Sequence, residues 1–246
     1  MYALLDDTIK KNKESFINIL SNAVSERPGC DLEGLLNKLE SSDFYIAPAS
    51  TKYHGAYKGG LVDHSLNVYY NMLSLAKNKR LLAIHKLVPE DETIDISNVD
   101  ETTKMKDIII EGEIEADSIA IVALLHDFSK MNYYKLDYRN KKVYCESGSK
   151  HENNGRFDWV TVPSYITAPQ EERFLYGSHE ETSEFMIRQF IPLTYQESTA
   201  VLHHHFALGF DSIKDVGVVS NIYNRYPIAT LLHLADCLAC YVDERY

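Results

Sequence analysis

Residues 118–130 read SIAIVALLHDFSK, an apolar run that ends in the doublet His126-Asp127. An apolar segment without a polar stripe is typical of a helix that is buried on every side. The pattern therefore predicts a central helix from Ser118 to His126, with Asp117 or Ser118 as its N-cap. Imidazole and carboxylate groups are both good metal ligands, and here they stand side by side where a buried helix ends. This segment predicts the middle of a helical core and one part of a candidate metal site.

Two further polar residues lie on segments with helical periodicity. His64 stands near the start of residues 61–77, whose apolar positions alternate at steps of four and three along one helical face. Asp236 lies within the apolar segment from Tyr226 to Glu244, which is also predicted to be helical. A carboxylate buried in such a helix needs a metal or another cation as its partner. Both positions are therefore candidate metal ligands.

Later histidines extend this candidate set. His179 opens a helix predicted over residues 178–190, and the triplet His203-His204-His205 falls in a helix predicted over residues 196–206. Adjacent helical positions point about 100° apart, so at most two members of the triplet can face one metal centre. On this reasoning His204 and His205 are both open as ligands.

Helices packed side by side can bring residues that are distant in sequence to one end of a bundle. His64, His126, Asp127 and Asp236 together offer two imidazoles and two carboxylates. This mixture of donors suits Mn, Fe, Zn, Ni or Mg. The sequence therefore predicts a divalent metal site shared by three helices.

Length, composition and charge exclude several classes of protein. The chain has 246 residues, of which 45% are hydrophobic, which is enough for one sizeable core. No run approaches the roughly 18 apolar residues that cross a bilayer, and the first residues are too acidic for a signal peptide. The sequence thus predicts a soluble cytoplasmic protein with no membrane partner. The formal net charge is -11, and the basic residues form no stripe, which argues against long duplex nucleic acid as a partner.

The cysteines do not predict a second metal or redox motif. The chain has four, and only Cys237 and Cys240 lie close together, directly after Asp236. A zinc site would need a second such pair, and a redox motif would need a strand-to-helix turn. We interpret Cys237 and Cys240 as small packing residues of a reduced helix.

The N-terminal part is predicted to contain two short helices and a loop. The helices cover residues 15–23 and 31–40, with a helix stop at Arg27-Pro28-Gly29 and Asp31 as the N-cap of the second. Residues 47–60 are rich in glycine and hydroxyl side chains and are predicted to form a loop that leads into the core.

β-branched and aromatic residues mark a different structure in the middle of the chain, and they predict a β-hairpin at residues 141–162. The acid-rich residues 86–117 are interpreted as a surface excursion and not as a domain boundary. No internal repeat is present. The predicted fold is one mainly α-helical domain over residues 1–246, with an N-terminal helical extension at residues 1–45 and the small inserted β-hairpin.

Four blocks of this sequence resemble the HD superfamily of metal-dependent phosphohydrolases, whose pattern is H…HD…D on a helical core. The resemblance extends from about residue 44 to residue 244. It is strongest to an HD hydrolase group of Gram-positive bacteria and their phages that largely lacks assigned substrates. The blocks are APASTKYHGAYKGGLVDHSLNV (47–68), IAIVALLHDFSK (119–130), YGSHEETS (176–183) and YPIATLLHLADCLACYVDE (226–244).

The resemblance implies an HD-domain helical bundle and a role for each matching residue. His64 matches the first histidine, His126 and Asp127 the doublet, and Asp236 the last aspartate. In members with two metals, His179 and His204 would bind the second ion, and Asp127 would bridge the two ions. The matching catalytic residues are Asp127 and Lys130, and Lys130 would also face a substrate phosphate.

Two blocks depart from the pattern of the group. Residues 177–180 read Gly-Ser-His-Glu where the group reads Gly-His-Gly-Glu, and residues 202–204 read Leu-His-His where the group reads Arg-Trp-His. The first ion is therefore better supported than the second. His54 and Lys58 precede the first ligand helix in the predicted loop, and together with Lys130 they are our candidates for substrate binding.

The activity implied by the resemblance is hydrolysis of a nucleotide or a related small phosphate ester by a metal-activated water. One or two divalent ions would be the cofactor, and the small phosphorylated substrate would be the partner. The ligands do not distinguish a phosphomonoesterase from a phosphodiesterase. Two alternatives are open: a di-iron oxygenase built on the HD fold, and a catalytically inactive nucleotide-binding or regulatory module.

Overall fold

The computed structural model describes residues 4–76, 114–174, 176–205 and 213–244, which form eight α-helices and one three-stranded sheet. This part of the chain is mainly α-helical with a small β part, as predicted. Most of the predicted surface excursion at residues 86–117 lies outside the described residues. The helices are α1 (Asp6–Val24), α2 (Leu32–Glu40), α3 (Gly60–Ala76), α4 (Ala116–Leu125), α5 (His179–Ile187), α6 (Tyr195–Leu202), α7 (Ile213–Arg225) and α8 (Pro227–Leu238). The strands are β1 (Tyr134–Tyr144), β2 (Lys150–Glu152) and β3 (Gly155–Thr167).

Helix α4 is the centre of the helical core, as its apolar sequence predicts. All side chains from Ile119 to Leu125 are buried, and the helix contacts α1, α3, α6 and α8. Each large aliphatic side chain buried in this way contributes roughly 1.5–3 kcal/mol to folding. The prediction of a side-chain N-cap was wrong: Glu115 occupies the cap position, and no side chain caps the helix. The Ser118 hydroxyl instead donates to Glu197.

Helix α1 is longer than predicted and packs within the same core. It begins at Asp6, because the polar residues before Ser15 continue the helix on its exposed face. Phe16, Ile19 and Leu20 are buried together with side chains of α3 and α4. The second helix forms as predicted. The Asp31 carboxylate caps it by accepting the backbone N–H of Gly34 at 2.8 Å.

The predicted β-hairpin is present, but the sheet is longer and has a third strand. β1 pairs with β3 over eleven residues on each, from Tyr134 opposite Thr167 to Tyr144 opposite Phe157. β2 pairs with the other edge of β3, so the order is β1-β3-β2. β2 was not predicted, because its polar sequence Lys-His-Glu has no strand signature. It forms a strand by pairing with β3.

Two segments that follow helices do not continue them as α-helix. Helix α6 ends at Leu202, so His203, His204 and His205 occupy a turn and not the helix that was predicted. Helix α8 is followed by one π-helical turn, Ala239–Asp243. The backbone N–H of Glu244 donates to the carbonyl oxygen of Ala239 at 3.0 Å. Such π-turns redirect the side chains that follow them.

The loop before α3 depends on close backbone contact. A Cβ atom on Gly60 would lie 2.0 Å from the carbonyl oxygen of Gly55, and Gly55 itself has a φ of +56°. Glycine is therefore required at both positions, because any side chain would force the loop away from α3. This contact holds His54, the neighbour of Gly55, close to the start of the helix. Among the described residues, no helix is both long enough and apolar enough to cross a membrane.

Candidate metal centre

The four ligands predicted for one ion meet at the C-terminal end of α4. The Nε2 atom of His64 lies 3.2 Å from Asp236 Oδ1, 3.3 Å from His126 Nε2 and 3.7 Å from Asp127 Oδ2. His126 Nε2 lies 3.5 Å from Asp127 Oδ2. Metal–ligand bonds of about 2.0–2.2 Å place the neighbouring ligands of one ion roughly 3.0–3.6 Å apart. His64, His126 and Asp127 are therefore spaced closely enough to hold a metal ion, and Asp236 lies beside His64.

The backbone selects the histidine nitrogen that faces the cluster. His126 donates its Nδ1–H to the carbonyl oxygen of Ala123 at 2.8 Å, and His204 donates its Nδ1–H to that of Val201 at 2.7 Å. A carbonyl oxygen only accepts, so the proton sits on Nδ1 and the lone pair sits on Nε2. Both imidazoles thus direct an Nε2 lone pair into the cluster, as a metal ligand requires.

The second predicted pair of histidines faces the other oxygen of Asp127. The Nε2 atoms of His179 and His204 each lie 3.8 Å from Asp127 Oδ1, whereas His64 and His126 face Oδ2. Within the described part of the chain, these two Nε2 atoms and Asp127 Oδ1 are buried without a hydrogen-bond partner. Buried polar atoms are rarely left in this state, and a cation between them would satisfy all three. The arrangement suits a carboxylate that bridges two ions.

The turn after α6 brings both of its last two histidines to the cluster. His204 faces Asp127, and His205 places its Nε2 atom 3.6 Å from Asp236 Oδ2. The sequence left these two residues as alternatives on the assumption of a continuous helix. Because the helix ends at Leu202, the turn can direct both rings to the same side.

The Ser178 substitution in the block before α5 has a local structural role. Ser178 is the N-cap of α5, and with Glu181 it forms a reciprocal capping box. The cap places His179 at the first helical position, where its ring reaches Asp127. This capped helix start delivers a histidine to the cluster although residues 177–180 depart from the Gly-His-Gly-Glu pattern.

The cluster combines ionised carboxylates with a neutral imidazole, that of His204. Burial raises the pKa of Asp127, but Lys130 and His126 hold it well below its usual range. Asp236 is also buried, and His64 holds its pKa low. Burial drives the pKa of His204 well below its ordinary value, so this imidazole is neutral near pH 7. Neutral imidazole and ionised carboxylate are the forms that bind metals.

His64 has a third carboxylate partner, Glu244, which the sequence did not predict as a site residue. Its Oε1 atom accepts the Nδ1–H of His64 at 2.9 Å and a side-chain N–H of Asn67 at 3.1 Å. Burial lowers the pKa of His64, but Glu244 and Asp236 raise it to about 10. The negative charge around His64 therefore favours a cation there. Glu244 follows the π-turn after α8, so helical periodicity did not place it beside His64.

Glu244→Gln is expected to weaken metal binding by about 10–100-fold, because the carboxylate orients His64 and increases its basicity. Isothermal titration of chelator-treated protein with Mn²⁺ or Zn²⁺ would measure this change. Glu146→Gln, at an exposed position beside the sheet, is the matched control and should leave the affinity unchanged. Equal affinities for the wild type and Glu244→Gln would contradict this role.

The two predicted substrate-binding residues of the loop lie in different places. The His54 ring packs against His64 with ring centroids 4.8 Å apart, and its Nε2 atom is buried. Burial and the charge of His64 lower the pKa of His54 to about 4, so it is neutral near pH 7. Lys58 instead forms an exposed ion pair with Asp6 at 2.8 Å, and the structure does not bring it to the cluster.

The cysteines form no disulfide, and one of them lies next to the cluster. All four are free. The Cys240 Sγ atom lies 3.4 Å from Asp236 Oδ1, and His54, His64 and Cys240 together could also hold a metal ion. The interpretation of Cys240 as a packing residue alone is therefore incomplete. Cys237 lies earlier in the chain, within α8, with its Sγ atom 3.9 Å from His233 Nε2.

The fold and the site define a mainly α-helical protein whose histidine and aspartate groups could bind a metal ion. No family model, curated protein or solved structure significantly matches this chain.

Proposed function

We propose that this protein is a metal-dependent phosphohydrolase of the HD type, acting on a nucleotide or a related small phosphate ester. The observation that supports the proposal best is the position of Asp127. One of its oxygens faces His64 and His126, and the other faces His179 and His204. This arrangement agrees with the H…HD…D pattern to which the sequence is similar.

The chain offers ligands for two divalent ions. His64, His126, Asp127 and Asp236 would hold the first, and the second oxygen of Asp127 would join His179 and His204 in holding the other. Bound ions of this kind polarise a phosphoryl oxygen and lower the pKa of a water molecule to near neutrality. Hydrolysis then needs no nucleophilic side chain.

Lys130 is the residue that we assign to the substrate phosphate. Its Nζ atom lies 2.6 Å from Asp127 Oδ2, and the side chain is largely buried. Burial lowers the pKa of Lys130, but Asp127 outweighs that effect and raises it, so the ammonium group keeps its charge. Tyr134 at the start of β1 is close enough for the charge of Lys130 to affect its pKa. A fixed buried cation beside the ions stabilises the charge that develops on the phosphoryl oxygens.

Lys130→Met is expected to lower kcat/KM by about 10²–10³-fold, as is typical when one preorganised electrostatic contact is removed. The metal content should not fall, because an ammonium group is not a metal ligand. Steady-state kinetics and metal analysis of the same preparation would measure both quantities. Lys141→Met on the exposed part of β1 is the control. An unchanged kcat/KM would remove Lys130 from the proposed site.

A substrate screen tests the proposal directly. Purified protein loaded with Mn²⁺, Fe²⁺, Ni²⁺, Zn²⁺ or Mg²⁺ is incubated with nucleoside monophosphates, cyclic nucleotides and short single-stranded oligonucleotides, and the products are analysed. Release of phosphate from monoesters or cleavage of diesters, lost in a variant of Asp127, is the expected outcome. No hydrolysis with any metal would overturn the proposal. Oxygen consumption by the iron-loaded protein would instead support the di-iron oxygenase alternative.

A further inference from the structure

We propose that His205 is a third histidine ligand of the second ion and that Glu180 orients His179 and His205, giving a histidine-rich site that selects a late transition metal. The inference rests on the proposed metal dependence and adds two residues to it. From the sequence, His205 was considered as a metal ligand only as an alternative to His204, and no role was predicted for Glu180.

The His205 ring lies next to the rings of His204 and His179. Its ring centroid lies 4.1 Å from that of His204 and 4.7 Å from that of His179. Ligand nitrogens of the three histidines all lie within 4.8 Å of one another. The Nε2 atom of His205 also lies 3.6 Å from Asp236 Oδ2. One ion could therefore contact all three imidazoles.

The two carboxylate oxygens of Asp236 face different groups of histidines, as those of Asp127 do. Its Oδ1 atom lies 3.2 Å from His64, and its Oδ2 atom lies 3.6 Å from His205. Asp127 and Asp236 thus each present one oxygen to the first group of histidines and one to the second. The second site then contains carboxylate oxygens as well as three imidazoles.

The Glu180 carboxylate contacts both His179 and His205. Its Oε1 atom accepts the Nδ1–H of His205 at 2.9 Å, and its Oε2 atom lies 3.1 Å from Nδ1 of His179. One carboxylate therefore holds the Nδ1 side of two imidazoles, so that both Nε2 atoms turn towards Asp127 and Asp236. A carboxylate behind a metal-binding histidine fixes the orientation of the ring and increases its basicity. Glu244 stands in the same relation to His64.

The ligand atoms of the second site determine which metal it prefers. Three imidazole nitrogens with carboxylate oxygens suit Zn²⁺, Fe²⁺, Co²⁺ or Ni²⁺, whose affinities for nitrogen ligands exceed that of Mn²⁺ in most cases. Mg²⁺ prefers oxygen ligands and keeps several of its waters. The second site is therefore expected to bind a late transition metal even in an excess of Mg²⁺.

Titration of chelator-treated, full-length protein with Co²⁺ tests the assignment, because the absorption spectrum of Co²⁺ reports its ligands. The wild type should bind two ions in excess Mg²⁺. His205→Ala and His205→Gln should each weaken the second ion by at least about 10-fold and change its spectrum, while the first ion binds as before. Glu180→Gln should weaken the second ion by about 10–100-fold. His151→Ala and Glu171→Gln, both at exposed positions, are the matched controls.

Retention of the first ion shows that each variant is folded. Two ions bound to both His205 variants with unchanged affinity and spectrum would overturn the assignment of His205, and an unchanged Glu180→Gln would overturn that of Glu180. A second ion displaced by Mg²⁺ in the wild type would overturn the metal preference. Binding of two Co²⁺ ions without hydrolysis of any substrate would refute the proposed function and leave this inference intact.

Discussion

For the proposed two-metal phosphohydrolase, Asp127→Asn is expected to release both ions and to lower the activity by at least about 10³-fold. The two oxygens of Asp127 face four histidines, and an amide nitrogen cannot replace either oxygen as a ligand. Metal-ion stabilisation of the transition state is worth several kcal/mol, and each 1.4 kcal/mol or so changes the rate tenfold.

Metal analysis and steady-state kinetics would measure this effect on one preparation. Asp137→Asn, at an exposed position of β1, is the matched control and should retain both ions and full activity. Circular dichroism would show whether the fold survives, since the variant leaves the buried Lys130 ammonium without its carboxylate partner. A folded Asp127→Asn protein that keeps two ions and its activity would contradict the central role of Asp127.

Arg27→Met is expected to lower the free energy of unfolding by about 3–5 kcal/mol, because it leaves the fully buried Glu197 carboxylate without its cation. Arg27 binds both carboxylate oxygens, at 2.7 and 2.5 Å, and the Ser118 hydroxyl donates to the same group at 2.7 Å. The pair thereby joins the end of α1 to α4 and α6. For a chain of this size, the loss corresponds to a fall in Tm of roughly 6–20 °C.

The effect of Arg27→Met should also depend on pH. Burial raises the pKa of Glu197, but hydrogen bonds from Arg27 and Ser118 bring it below the ordinary value of 4.5. A group whose folded-state pKa is lowered stabilises the fold above its unfolded-state pKa, and this contribution is lost as the pH falls through the folded-state pKa. The difference between wild type and Arg27→Met should therefore be largest near pH 7 and shrink below about pH 4.

Urea unfolding at several pH values would measure both parts of this prediction. Arg139→Met is the matched control, since Arg139 lies at an exposed position of β1. It should change the free energy of unfolding by less than about 1 kcal/mol. A loss for Arg27→Met no larger than that of the control would show that the ion pair does not stabilise the fold.

The parts of the structure that were predicted correctly depend on local patterns. The continuous apolar run before His126 predicts a helix buried on every side, and α4 is buried in this way. His64, near the start of an amphipathic helix, and Asp236, in an otherwise apolar segment, are two of the side chains that meet at its end. Asp31 was recognised as an N-cap because capping is a contact between near neighbours.

The features that were missed depend on residues distant in sequence. Arg27 was interpreted only as part of a helix stop, yet its partner Glu197 lies 170 residues away. Likewise, Glu244, which follows a π-turn, reaches His64 across 180 residues. No periodicity or spacing records such contacts, because each depends on how the helices pack against one another.

The sequence by itself determined the helical core, the small β part and the residue types that could bind a metal, because each follows from local periodicity and side-chain chemistry. Only the tertiary structure decided which oxygen of Asp127 faces which histidines, and that His204 and His205 both reach the cluster. It also placed His54 beside His64 and Lys58 beside Asp6, although the two residues are neighbours in one loop. These choices depend on the positions of turns and helix ends, which are set by how the described helices pack against one another.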